Sequence, residues 1–296
     1  MSLEDTFLQW SKPASDTEET RCENASSAID KAMRASEYLQ YRDLSIFGQG
    51  SYAANTNVRQ DSDVDVCVMC KDTFFFELPS GAQTSEYSIA APAEYTFERY
   101  KNEVHSALIA RFGDDGVTRG GKAFDVHSNS YRVDADAVPT FEFRRYFGPP
   151  DQGYVSGVAF IDEKSGRRIH NYPVHALANG RAKSVDTGRR YKKVVRILKR
   201  LRNLLRDEGS VVSQRVPSFL IECLVYRVSN SNFQNSTLTA DVHDVLYYLL
   251  GDLATDQSCN DWTETNQIKY LFRSSQPWTR ADASTFVWEA IDRLKI

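Results

Sequence analysis

Residues 63–68 read Asp-Val-Asp-Val-Cys-Val, and this alternation constrains the chain more than any other feature in it. Side chains two apart lie on one face of an extended strand, and β-branched residues suit a pleated surface. Val64, Val66 and Val68 therefore predict a half-buried strand, with Asp63 and Asp65 side by side on its other face. Two carboxylates held that close repel each other, and burying them uncompensated is costly. A divalent cation removes the conflict, because Mg²⁺ takes hard oxygen ligands from a few carboxylates and from phosphate. Two solvated aspartates on an exposed strand would not call for three valines behind them.

Ser51 stands twelve residues ahead of Asp63, preceded by Gln49 and Gly50 at the end of a short predicted strand, 44–47. A Gly-Ser step that opens a short helix, expected here to reach about Val58, offers N–H groups and a hydroxyl to a phosphate. Gln49 flanks the step and is a further candidate for a phosphate hydrogen bond. A third acid has to come from a separate strand, and the predicted strand 131–138 supplies two candidates. Asp134 and Asp136 share one face there, with Val133, Ala135 and Ala137 on the other. Pattern alone leaves both open.

The remaining composition narrows the function classes. The chain has 296 residues, 41% hydrophobic and 26% charged, enough for one large domain or two modest ones. No run approaches the roughly 18–20 apolar residues of a membrane span. The N-terminus lacks a basic-then-apolar leader, so the cytoplasm is the expected compartment. Of five scattered cysteines only Cys67 and Cys70 form a CxxC, inside an apolar strand and without a second ligand pair. Buried structural thiols are expected, not zinc. His170 and His175 likewise have no ligand partners at metal spacing. A net charge of −4 argues against a general polyanion binder. Yet from Arg189 to Arg206 there are nine Lys or Arg and no acid, which suggests local phosphate recognition.

Read for organisation, residues 1–15 form a loose arm and 16–41 a helix. The stretch 72–93 reads as irregular, 94–112 as a helix, and 122–126 and 131–138 as strands joined by a polar turn. Short strands such as 155–161 lie in a Gly-, Pro- and Asn-rich stretch, 148–186. From Thr187, a candidate cap, Tyr191, Val194, Val195, Leu198 and Leu201 recur at helical spacing. Further helices are expected at 218–228, 240–253, 266–272 and 281–294. An α+β half thus precedes an all-helical half, with the seam near residue 180.

The Gly-Ser step followed by Asp63-Val64-Asp65 resembles the motif of the polymerase-β nucleotidyltransferases. The string FGQGSYAANTNVRQDSDVDVCV, followed by VDADAVPTFEFRR and HNYP…NG…GRRYKKVVRILKRLRN, is more specific. Over about residues 40–230 it resembles the bacterial relatives of cyclic GMP-AMP synthase, the CD-NTase enzymes of anti-phage signalling. The resemblance implies a polymerase-β-type core of mixed sheet and flanking helices over 1–180. It also implies a helical nucleotide-binding domain over 181–296, with the active site in the cleft between them. It implies two Mg²⁺ ions, with Mn²⁺ as a substitute, on Asp63, Asp65 and Asp136. Asp136 is preferred to Asp134 because Asp136-Ala137-Val138-Pro139 fits the D-h-x-P step of the template-independent members. Lys199 aligns with a lysine that contacts the donor triphosphate, and Ser218 with a nucleotide-contacting position whose plainer reading is a helix cap.

The implied substrates are nucleoside triphosphates, ATP and GTP among them. The implied reaction joins them into a cyclic di- or trinucleotide messenger with release of pyrophosphate. Neither a membrane nor a long nucleic acid is required, and a regulatory protein partner is not readable from the residues. Three other readings compete. They are a polynucleotide-extending enzyme of the CCA-adding or poly(A) type, a transferase that modifies a protein or small molecule, and an inactive nucleotide-binding sensor.

Overall fold

The valine alternation becomes the start of a long strand in the computed structural model, which describes residues 2–58, 63–89 and 93–296. In chain order the elements are α1 (Leu3–Trp10), α2 (Asp16–Ala35), β1 (Leu44–Gln49), α3 (Gly50–Ala53), β2 (Val64–Glu77) and α4 (Phe97–Phe112). Then come β3 (Val117–Arg119), β4 (Phe124–Val126), β5 (Ala135–Arg145), β6 (Val155–Ile161) and β7 (Arg168–Asn171). The helices α5 (Pro173–Asp186), α6 (Arg190–Asp207), α7 (Val211–Arg215), α8 (Ser218–Arg227), α9 (Leu238–Asp252), α10 (Asp256–Cys259) and α11 (Arg280–Leu294) complete the chain. They divide into two compact units. Ser15–Tyr52 and Asp63–Pro173 form a sheet unit; Met1–Ala14, Ala53–Ser62 and Val174–Ile296 form a helical unit.

The sheet unit carries seven strands in the order β1-β2-β5-β4-β3, with β6 on β5 and β7 on β6. Only the central pair, β2 and β5, is parallel. Parallel neighbours need a crossover, and α4 lies in the one that joins them. Val64, Val66 and Val68 are 0–4% exposed and pack in one core with Ile29 and Met33 of α2 and Tyr100, Val104 and Leu108 of α4. The Tyr100 hydroxyl, fully buried, donates to the Val68 carbonyl at 2.6 Å. In the helical unit the basic helix α6 is also the spine of the core. Tyr191, Val194, Val195, Ile197, Leu198 and Leu201 are all at most 1% exposed, and the Tyr191 N–H donates to the Thr187 hydroxyl at 3.1 Å.

Several expectations need correction. The arm is not loose: Ser2 and Asp5 cap α1 reciprocally, Phe7 is fully buried, and the Glu4 carboxylate accepts the N–H groups of Leu238 and Thr239. Residues 72–77 belong to β2, and a register shift between Cys70 and Phe74 hides their pairing from a period-two reading. The stretch before residue 186 holds α5, whose first residue is Pro173, a favoured position for proline. Residues 266–272 are not helical. The Asn266 side-chain oxygen accepts the N–H groups of Ile268 and Lys269, and Thr263 bridges Tyr270.

Candidate active site

Strand register assembles the acids. Gln49 of β1 stands opposite Asp65 of β2, Asp65 opposite Asp136 of β5, and Asp136 opposite Asp125 of β4. Directly opposed residues on neighbouring strands share a face, so one row crosses four strands with three carboxylates in succession. Asp63 stands immediately ahead of β2. Behind the row, Val64, Val66, Ala135, Ala137, Phe124 and Val126 are buried, which fixes the acids on the opposite face.

The carboxyl groups feel one another. Burial, reinforced by Asp136 and Asp63, pushes Asp65 up to about 7. Burial raises Asp136 as well, with Asp63 and Asp125 adding to it, and burial with Asp134 and Asp125 raises Asp63. Each cause disfavours the charged form, and no cation of the protein appears among them. Asp134 takes a different place. It lies outside β5, its carboxylate accepts the Ser128 N–H at 2.6 Å, and its carbonyl accepts the Val64 N–H at 3.2 Å. Asp136 is therefore the acid that stands opposite Asp65.

Asp125 was not singled out from the sequence. Its signal was present, because Phe124-Asp125-Val126 repeats on a short strand the apolar–acid–apolar alternation seen at residues 64–66.

Gly50 directly follows the strand that flanks this row and adopts φ +68°, a conformation that favours glycine. A Cβ there would fall 1.9 Å from Asp65 Oδ2, so the bare backbone is what lets the Gly-Ser step and the first acid of the row touch. Ser51 follows, half-buried, as the second residue of α3. That helix stops at Ala53 instead of running to Val58, because Asn55 turns left-handed at φ +52°.

Hard carboxylate oxygens, half-buried at Asp65 and Asp136 and mutually repelling, are the donor set that a divalent oxygen-seeking cation fits. No three His, Cys, Asp or Glu side chains among the described residues are already closed around one point. Like charges do not draw together unaided, and the elevated Asp65 expresses the same repulsion.

In the helical unit the expected phosphate contacts are engaged elsewhere. Lys199 is not on an open basic face. It is 2% exposed, and its Nζ donates to Glu222 Oε2 and to Thr56 Oγ1, both at 3.1 Å. The nine bases of 189–206 suggest local phosphate recognition, but the helical period turns Lys199 and Arg196 inward. Arg196 Nε donates to the Ser11 carbonyl at 2.7 Å and Nη1 to the Asn55 carbonyl at 2.6 Å. Ser218 does not cap α8, since Pro217 holds that position, and its hydroxyl accepts from Arg202 Nη2 at 2.7 Å. No helix among the described residues is long and apolar enough to cross a membrane.

Comparison with known proteins agrees with this arrangement. Residues 178–295 match the model of the cGAS/DncV-like nucleotidyltransferase C-terminal helical domain. Over 290 residues the chain is 42% identical to the cyclic dipyrimidine nucleotide synthase CdnE of Legionella pneumophila, which covers 97% of this chain and 96% of that one. The solved structure of Elizabethkingia meningoseptica CdnE cyclic dinucleotide synthase with GTP and Apcpp is similar over 100% of both chains, with a TM-score of 0.82 and 33% identity. That of Rhodothermus marinus CdnE c-UMP-AMP synthase with Apcpp and Upnpp gives a TM-score of 0.87 at 27% identity, over 100% of this chain and 97% of that one. Similarity of this degree along nearly the whole length establishes that the chain belongs to the cGAS/DncV-like nucleotidyltransferase (CD-NTase) family.

Proposed function

We propose that the protein joins two nucleoside triphosphates into a cyclic dinucleotide, with the acid row as its reaction centre and anti-phage signalling as its setting. The observation that carries this reading is the alignment of Asp65, Asp136 and Asp125 on three neighbouring strands, with Gly50 against Asp65. Asp63, Asp65 and Asp136 are the residues that would hold Mg²⁺, as two ions, with Mn²⁺ as a substitute. Such a cation, when bound, neutralises triphosphate charge and makes a ribose hydroxyl more acidic.

The protein's own residues supply positioning. Gly50, lacking a Cβ, lets the backbone approach phosphate closely, and the Ser51 hydroxyl and Gln49 amide hydrogen-bond its oxygens. Asp136 accepts the proton of the attacking hydroxyl. The hydroxyl oxygen bonds to the α-phosphorus while the bond to pyrophosphate breaks, and a second such transfer closes the ring. Lys199, bound to Glu222 and Thr56, serves by ordering residues 53–58. The Ser218 hydroxyl, polarised by Arg202, is the nucleotide contact of the helical unit. Residues 63–173 with the preceding strand and helix thus supply the chemistry, and the helical unit a share of nucleotide binding.

The name of the Legionella relative supports a pyrimidine pair, so UTP and CTP are the expected substrates. The test is incubation with all four triphosphates and Mg²⁺, phosphatase treatment and mass spectrometry. A phosphatase-resistant cyclic dipyrimidine dinucleotide that disappears in Asp65→Asn is expected. Elongated RNA, a labelled acceptor protein or no product at all would overturn the reading.

A further inference from the structure

A second site lies in the sheet unit and shares no residue with the acid row. A concavity of about 230 Å³ is lined by Lys31 of α2, by Arg111 and Phe112 in the last turn of α4, and by Tyr131 and Arg132 in the loop before β5. Among the described residues no carboxylate lines it. In a chain of net charge −4, three cations face one hollow with no counter-charge in its walls.

Nearby basic residues are used differently. Arg34 pairs with Asp30 at 3.2 Å, and Arg21 Nη2 donates to the carbonyls of Asn129 and Arg132 at 2.9 and 3.1 Å. Arg132, by contrast, rests its guanidinium over the Phe112 ring at 4.6 Å, and its buried Nε has no hydrogen-bond partner among the described residues. A guanidinium held by a ring with a donor left over is preorganised for an acceptor supplied from outside.

We propose that this hollow binds a small phosphate-bearing ligand, a diphosphate or a nucleotide, through Lys31, Arg111 and Arg132. Drug-sized ligand sites start at about 300 Å³, so this hollow takes the phosphate groups and leaves the remainder at the rim. Tyr131, 66% exposed, stands at that rim with a ring face for a base. A polynucleotide would need bases spread along a track, whereas these three line a single hollow.

Occupancy has a route to the acid row within the same unit. Asn24 donates to the Tyr131 carbonyl at 3.0 Å, so α2 holds the loop by Arg21 and Asn24 together. The loop runs directly into Asp134 and then into Asp136 of β5. Anchoring Tyr131 and Arg132 through a ligand therefore steadies the approach to the third acid. The site stands whether or not the acid row performs the reaction proposed above.

The test is calorimetric titration of the intact protein in EDTA, first with inorganic pyrophosphate and then with uridine 5′-monophosphate. Arg132→Gln and Arg111→Gln are each expected to weaken pyrophosphate binding by about tenfold or more. Exposed Lys31→Gln, which cannot disturb the core, should do the same and guards against misfolding of the other two. Tyr131→Ala should weaken the nucleotide and spare pyrophosphate, and Asp65→Asn should change neither. Equal affinity in all three cation variants, no binding of either probe, or tight binding of duplex RNA without pyrophosphate binding would overturn the proposal.

Discussion

Two clusters, the buried ion pairs of the helical unit and the acid row of the sheet unit, treat charge in opposite ways. In the helical unit every buried charge described above is answered internally. Lys199 meets Glu222 and Thr56, Arg190 meets Asp241 at 2.5 Å, and Arg196 is wrapped by carbonyl oxygens. In the sheet unit, Asp63, Asp65 and Asp136 are met by further aspartates and not by a cation, and all three carboxyl groups rise above their ordinary range. Compensated charge holds a fold together; uncompensated charge of one sign is a place kept for something the chain does not itself contain.

The comparison makes the two units respond to mutation with opposite signs. Asp65→Asn or Asp136→Asn should cut pyrophosphate release by more than about 10³-fold while raising the melting temperature of the metal-free protein. Activity near wild type in either variant would dissolve the contrast. Glu222→Ala does the reverse. It strands a buried ammonium and should cost about 3–5 kcal/mol in urea unfolding, most of it regained when Lys199→Met is added.

A pH series sharpens the same point. With its carboxyl raised from 3.8 to about 7 in the folded state, Asp65 holds its proton better folded than unfolded. Metal-free stability should therefore be undiminished below about pH 4 and fall as pH climbs towards 7, by about 4 kcal/mol at most. Asp65→Asn should flatten that slope, as followed by thermal melts in EDTA. Gly50→Ala drives a methyl into the Asp65 carboxylate and should lower turnover by about 10²-fold, and its left-handed backbone should add a cost of about 1–2 kcal/mol in unfolding by urea. The smallest effect belongs to Asp125→Asn, at the exposed end of the row, where about a tenfold loss is expected; a loss equal to that of Asp136→Asn would make Asp125 a full member of the set.

What could be read from residues alone followed periodicity. The valines at 64, 66 and 68 announced β2, and the apolar spacing of Tyr191 to Leu201 announced α6, because each pattern records a buried face. Periodicity says less where partners are distant. Asp134 and Asp136 look equivalent at a spacing of two, but β5 begins at Ala135, and Asp134 is taken by Ser128. The resemblance singles out Lys199 among nine bases, but the Glu222 that draws it inward lies on α8, far along the chain. Asp125 could be found only by knowing that β4 lies next to β5, and α1 only by knowing that Glu4 reaches the start of α9. Local chemistry was legible; pairings across the chain were not.

The parallel seating of β2 beside β5 has a biological corollary. A polypeptide that ends within the crossover carries Asp63 and Asp65 yet has no strand to stand Asp136 beside them. Such fragments are silent by construction. A cyclic nucleotide is thus made only by copies in which β5 is present and seated on β2.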